Sequence, residues 1–172
     1  MIKKNIITQR LCISQIKESH TDDIIEIITN DTVKKTYMLP DFPNRESAQR
    51  LADRLRELSA NEAHYVAGVC LGDKLIGFIN DTEITPDRKG LELGWAFNPR
   101  FYNKGYATEA VSKMIEFLFT EGFAEVTAGA FEENPASMRV MEKSGMLRVP
   151  KTESIEYRGK AHNCLFYSIK NK

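Results

Sequence analysis

Apolar and polar positions change period several times along this chain, and each change marks an element. Residues 6–13 alternate and are rich in β-formers, which predicts a first strand. Thr21, Asp22 and Asp23 offer an N-cap and early negative charge for a helix carrying Ile24, Ile25, Ile27 and Ile28, with its end near Asn30. Pro40 and Pro43 break the segment that follows. Asn44 or Ser47 can cap the next helix, on which Ala48, Leu51, Ala52, Leu55 and Leu58 fall along one face.

The period then shortens to two. Residues 64–71 and 74–79 are short β-runs around Gly72-Asp73, a hairpin signal. A turn at 85–90 leads to a third run at 91–97, and together they predict an antiparallel meander. Helical spacing returns with Ala107, Ala110, Val111, Met114, Ile115 and Leu118, and stops at Gly122. The strand at 124–131 must run parallel to the one at 91–97, because a whole helix separates them. Pro135 stands at the first position of another helix and Gly145 just past its end. Strands at 152–157 and 162–169, joined by a turn at Arg158-Gly159-Lys160, finish the pattern. The fold expected is α+β: a mixed, mostly antiparallel central sheet of about seven strands with one splayed parallel pair, flanked by about four helices.

The turn between residues 91–97 and the next helix carries the chemistry. Its sequence is Tyr102-Asn103-Lys104-Gly105-Tyr106-Ala107-Thr108-Glu109-Ala110. A strand-to-helix turn leaves backbone N–H groups unpaired at the positive end of a helix dipole, which suits a phosphate. Gly105 and Ala107 keep side chains out of the way, and Lys104 adds positive charge. A phosphate-bearing cofactor is the ligand class this predicts.

At 172 residues the chain fits a single domain spanning 1–172. Its 24 basic residues cancel 24 acidic ones, so it lacks the basic excess of a nucleic-acid binder. No apolar run approaches the roughly 18 residues of a membrane span. The N-terminal charges are not followed by an apolar stretch, so a secretory leader is not expected. Cys12, Cys70 and Cys164 are odd in number and sit among apolar residues, which fits reduced core thiols and a cytoplasmic protein. His20, His64 and His162 lack ligand spacing, so no metal is expected.

The segment from Leu91-Glu92-Leu93-Gly94-Trp95-Ala96-Phe97-Asn98-Pro99 through Gly105-Tyr106-Ala107-Thr108-Glu109-Ala110 resembles the cofactor motif of the GNAT superfamily of N-acetyltransferases. The run from Asn134-Pro135-Ala136-Ser137 to Lys143-Ser144-Gly145-Met146 is similar to that superfamily's second motif. Thr8-Gln9-Arg10-Leu11 and the run at 74–79 also fit, and the likeness is closest to the branch holding the ribosomal-protein-alanine N-acetyltransferases. It covers nearly the whole chain. Any one motif is weak; four in order at this spacing are strong.

The resemblance implies acetyl-CoA as co-substrate, with its pantetheine in the V between the two splayed parallel strands. The pyrophosphate would rest on the backbone of Tyr102, Asn103, Lys104, Gly105, Tyr106, Ala107 and Thr108. A bulge near Ala96 and Phe97, ahead of Asn98, would free N–H groups for the thioester carbonyl and its oxyanion. Asn134, an N-cap in its own right, would also bind the pantetheine arm, and Lys143 would complete the cofactor set. Glu92 is the candidate general base, with Asp81, Glu83 and Glu132 as rivals and a solvent-facing carboxylate as the plain reading. Ser137 is the candidate proton donor to the leaving thiolate, or simply an early-helix serine. Tyr37, Phe42 and Trp95 are candidates for the substrate side; core packing explains Trp95 equally well.

Acetyl transfer needs a neutral amine. At pH 7 about one in ten α-amino groups is neutral, against well under one in a thousand lysine side chains. The acceptor expected is a protein N-terminal amine or a small-molecule amine, attacked directly, in a monomer or homodimer. The chain departs from the family at Met141, where many relatives carry a tyrosine acid, and at Tyr102 and Asn103. The missing tyrosine keeps open a non-catalytic acyl-CoA-binding or regulatory module. A nucleotide-phosphate binder of another fold shares only the loop; that reading fails on the β-meander before the loop and on the absence of a Gly-Lys-Ser/Thr sequence from this chain.

Overall fold

The computed structural model describes Ile2 and residues 4–172. Of the N-terminal stretch that argues against a secretory leader, Met1 and Lys3 lie outside the described residues. In chain order the elements are β1 (Ile6–Ile7), β2 (Cys12–Ser14), α1 (Thr21–Ile28), α2 (Asp31–Lys34), α3 (Arg45–Ala60), β3 (Ala67–Leu71) and β4 (Lys74–Ile84). They continue as β5 (Gly90–Phe97), α4 (Tyr106–Thr120), β6 (Glu125–Phe131), α5 (Pro135–Lys143), β7 (Leu147–Tyr157) and β8 (Lys160–Lys170). Short 3-10 turns occupy Glu18–His20 and Pro99–Phe101.

Eight strands make one mixed sheet in the order β1-β2-β3-β4-β5-β6-β8-β7. β5 and β6 run parallel through Gly90↔Glu125, Leu91↔Val126 and Glu92↔Thr127. The neighbouring β6–β8 and β7–β8 ladders are antiparallel, as are β1–β2, β2–β3 and β3–β4. This is the expected α+β arrangement, with one strand more than expected. The extra strand arises at residues 6–13, where the Thr8 N–H donates to the Leu11 carbonyl at 3.0 Å and the Leu11 N–H to Thr8 Oγ1 at 2.9 Å. That tight turn folds the run back on itself, pairing Ile6 with Ile13.

Other boundaries moved for local reasons. His20, not Thr21, stands before α1 and makes no side-chain cap. The unexpected α2 starts because Asn30 accepts the Thr32 N–H, an Asx-type turn. β3 starts at Ala67 rather than 64, since the His64 N–H is held in a turn by the Asn61 carbonyl at 3.2 Å. β7 begins at Leu147 rather than 152, with a register shift between Arg148 and Thr152. Pro150 lies in that shift and has no N–H to give the ladder.

Two compact units divide the chain: residues 1–80 with 95–110, and residues 81–94 with 111–172. The first unit's core joins Ile24, Ile27 and Ile28 of α1 to Ala48, Ala52 and Leu55 of α3, with Phe78 of β4 and Ala96 of β5. Truncating one of the fully buried isoleucines costs about 2–5 kcal/mol, because neighbours relax only partly into the cavity. In the second unit Phe131, Cys164 and Phe166 form a smaller buried cluster covered by Val149, Ile155 and Tyr157. The three cysteines are free; burial pushes the Cys70 and Cys164 thiols up to about 11. No described helix is long and apolar enough to cross a membrane.

Candidate active site

The phosphate-type turn lies wholly in the first unit. Asn98 opens it, its Oδ1 accepting the Arg100 N–H at 3.0 Å. The Phe101 and Tyr102 N–H groups close the turn on the carbonyls of Asn98 and Pro99, at 2.9 and 3.1 Å. Asn103 and Gly105 then take φ values of 60° and 80°, which swing the chain into α4. Asparagine tolerates the left-handed region and glycine has no Cβ to clash there. The Gly105 carbonyl accepts the Glu109 N–H at 3.0 Å, so the first helical turn closes on a residue with no capping side chain. The N–H groups of Tyr106, Ala107 and Thr108 therefore have no acceptor within the helix. Lys104 sits at the tip, its ammonium 5.5 Å from the Phe101 ring centroid.

Two of the expected cofactor residues are engaged otherwise. The Tyr102 N–H is spent on the turn, so its amide is not among the open donors. Asn98 is buried; its N–H donates to the Ile76 carbonyl at 2.8 Å. Its Nδ2 faces Glu26 without reaching hydrogen-bond geometry, and this amide is the main influence holding the Glu26 carboxyl below its ordinary range.

A contact invisible in the local pattern holds the turn. Arg10, in the tight turn between β1 and β2, donates from Nε to Glu109 Oε2 at 2.7 Å and from its N–H to Oε1 at 2.9 Å. Its Nη1 donates to the Lys104 carbonyl at 3.0 Å, and the guanidinium lies 4.4 Å above the Tyr106 ring centroid. Thr8 Oγ1 adds a bond to Glu109 Oε1 at 2.5 Å. Burial alone would raise the Glu109 carboxyl, but the bonds from Thr8 and Arg10 outweigh it and hold the group below its ordinary range. The only sequence signal was the Thr8-Gln9-Arg10-Leu11 run, which says nothing of a partner 99 residues away.

Further along β5, Ala96 and Phe97 are buried and Trp95 is half-buried. The Phe97 ring fills the space where a Cβ on Gly77 would stand, 2.5 Å from its nearest atom. On the expected substrate side, Tyr37 Oη donates to Asn80 Oδ1 at 2.6 Å, and its ring meets Phe78 edge-on at 5.7 Å. Tyr37, Met38, Leu39, Leu51, Leu55 and Phe78, with Pro40, line a cleft of about 210 Å³. Phe42 packs against the same core cluster but does not line the cleft.

The remaining candidates lie in the second unit. Glu92 is half-buried on β5, and Thr82 Oγ1 donates to its Oε1 at 2.9 Å. Lys151 is held above its ordinary range first by Glu153, 2.9 Å away, with Glu92 and Glu83 adding to the effect. Of the rivals, Glu132 is drawn to β8, its N–H donating to the Asn163 carbonyl at 2.8 Å. Asn134 caps α5 by accepting the Ser137 N–H at 3.2 Å, and its Nδ2 donates to Ser137 Oγ at 3.0 Å. Met141, the position at which the family resemblance led to the expectation of a tyrosine acid, is fully buried. Lys143 is exposed in the last turn of α5, where a cation suits the helix dipole. Among the described residues no group of three or more His, Cys, Asp or Glu is placed to hold a metal ion.

The chain matches the acetyltransferase (GNAT) domain over residues 10–147. It is 26% identical over 166 residues to the uncharacterized N-acetyltransferase YoaA of Bacillus subtilis, covering 94% of each chain. The solved GNAT-family acetyltransferase from Bacillus anthracis superposes with a TM-score of 0.84 at 26% identity, over 97% of this chain and 98% of that one. RimL, a ribosomal L7/L12 alpha-N-protein acetyltransferase solved with coenzyme A, shares the fold at a TM-score of 0.83 and 15% identity, over 97% and 98% of the chains. With its two motifs, its parallel β5–β6 pair and the open helix start at Gly105, this chain belongs to the GNAT family of N-acetyltransferases, which use acetyl-CoA.

Proposed function

We propose that this chain, acting as one domain, transfers the acetyl group of acetyl-CoA to a primary amine by direct attack. The observation carrying the proposal is the start of α4. Gly105 at positive φ presents three N–H groups that a pyrophosphate can accept, with Lys104 beside them. The donors are the amides of Asn103, Lys104, Gly105, Tyr106, Ala107 and Thr108, while Ala96 and Phe97 polarise the thioester carbonyl through their backbone.

Glu92 serves as base, directly or through water, and its bond from Thr82 fixes one carboxylate oxygen while leaving the other open. Ser137 donates the proton to the departing thiolate. Its oxygen accepts from Asn134 Nδ2, so its own hydrogen is free to point outward. Asn134 holds the pantetheine arm, and Lys143 contributes charge.

The acceptor is a protein N-terminal amine or a small-molecule amine. RimL, whose name specifies an alpha-N-protein acetyltransferase, supports the former by fold alone. The cleft beside Tyr37 suits an apolar group on that acceptor, Phe42 and Trp95 are further residues for the substrate side, and the chain works as a cytoplasmic monomer or homodimer.

Buried Met141, which cannot donate a proton, is the one observation favouring a non-catalytic acyl-CoA-binding module. Calorimetric titration with acetyl-CoA, followed by thiol release over a panel of amines and peptides, separates the two. Binding with release supports the transferase; binding without release across the panel supports the module; no binding defeats both.

A further inference from the structure

The Lys104–Gly105 peptide has its carbonyl fixed by Arg10 Nη1 at 3.0 Å. In a trans peptide the N–H points opposite to the carbonyl. Arg10 therefore turns the Gly105 N–H away from itself, out of the side of the loop it occupies. A Cβ at position 105 would lie 3.4 Å from Arg10 Nη2, so the guanidinium packs directly beside this glycine. Glu109, in the first turn of α4, places a carboxylate near the open N–H groups of that turn. A carboxylate there competes with a phosphate for the same positive potential and repels it. The guanidinium is bound along two edges, to the carboxylate and to the carbonyl, and its flat face covers Tyr106.

We propose that Arg10 is a positioning residue for the donor's pyrophosphate: it aims the Gly105 amide and screens the Glu109 carboxylate that would otherwise repel the phosphates. This rests on the acetyl-CoA reading above. It assigns a task in cofactor binding to the β1–β2 turn, far from the phosphate loop in sequence.

The test is calorimetric titration of acetyl-CoA into the wild-type chain, Arg10→Ala, Glu109→Gln and the double variant. Removing the screen should weaken binding about tenfold in Arg10→Ala. Glu109→Gln should bind as tightly as wild type or tighter, since the repelling charge is gone. The double variant should recover the part of the loss that comes from repulsion and keep the part that comes from the unfixed Gly105 amide, binding between Arg10→Ala and wild type. A plain structural strut predicts the reverse: Glu109→Gln as weak as Arg10→Ala, and a double variant no better. That result, or unchanged affinity in Arg10→Ala, overturns the proposal. If Arg10→Ala does not fold, Arg10→Gln carries the same comparison. A wild-type chain that binds no acetyl-CoA would instead defeat the donor reading itself, and the role of Arg10 with it.

Discussion

Asn134 and Ser137 hold each other in a closed pair: the serine N–H donates to Asn134 Oδ1, and Asn134 Nδ2 donates to the serine Oγ. The cap that starts α5 thus also orients the hydroxyl and directs its proton elsewhere. Ser137→Ala should lower kcat at least tenfold with little change in the KM for acetyl-CoA, within the range of one general acid. Asn134→Ala should reduce kcat too and cost about 1 kcal/mol of stability through the lost cap. Steady-state thiol release reads the first and thermal unfolding the second; Ser137→Ala with undiminished turnover removes the serine as proton donor.

Gly105 has a φ of 80°, where a side chain is strained by about 1–2 kcal/mol, and its missing Cβ lies against Arg10. Gly105→Val should abolish measurable acetyl-CoA binding while the protein remains folded by circular dichroism. Retained affinity would show that the helix start does not hold the phosphates.

Gly77 gives its Cβ space to the Phe97 ring. Gly77→Ala should displace that ring, destabilise the protein by about 1–3 kcal/mol and weaken donor binding, because Phe97 sits at the proposed carbonyl site. Scanning calorimetry would show a lowered Tm; an unchanged Tm refutes the packing argument.

Glu92→Gln should slow turnover most near neutral pH, where most acceptor amine is protonated, and least at high pH, where free amine needs no base. Parallel pH–rate profiles for the variant and wild type would exclude Glu92 as the base.

The Glu109 carboxyl is held below its ordinary range, so its contribution to stability is present above the unfolded value, near 4.3, and disappears as pH falls through the lower folded value. Wild type should exceed Glu109→Gln in stability at neutral pH, and the gap should close on acidification. Denaturant midpoints from pH 7 downward measure it; a gap that persists at low pH means another group carries the linkage.

Periodicity and punctuation made most elements legible. α3 and α5 start on Asn44 and Asn134 as their caps require, and α4 and β6 fall where their spacing put them. These features are local: a cap needs three residues, a helical face about eleven. Residues 6–13 misled because an alternating pattern does not reveal that Thr8 and Leu11 bond across a turn. The turn at Gly105 was readable for the same local reason. Partners far along the chain were not. Nothing in the spacing joins Arg10 to Glu109, Thr82 to Glu92 or Tyr37 to Asn80, because those pairs exist only once strands lie in register and helices pack. The sequence by itself determined the strand and helix order apart from the split first strand and α2, the helix start at Gly105 and the family. Only the tertiary structure decided which amides remain open, which cation pairs with Glu109 beside them and which apolar residues line a cleft, since register and packing alone set distances between residues remote in the chain.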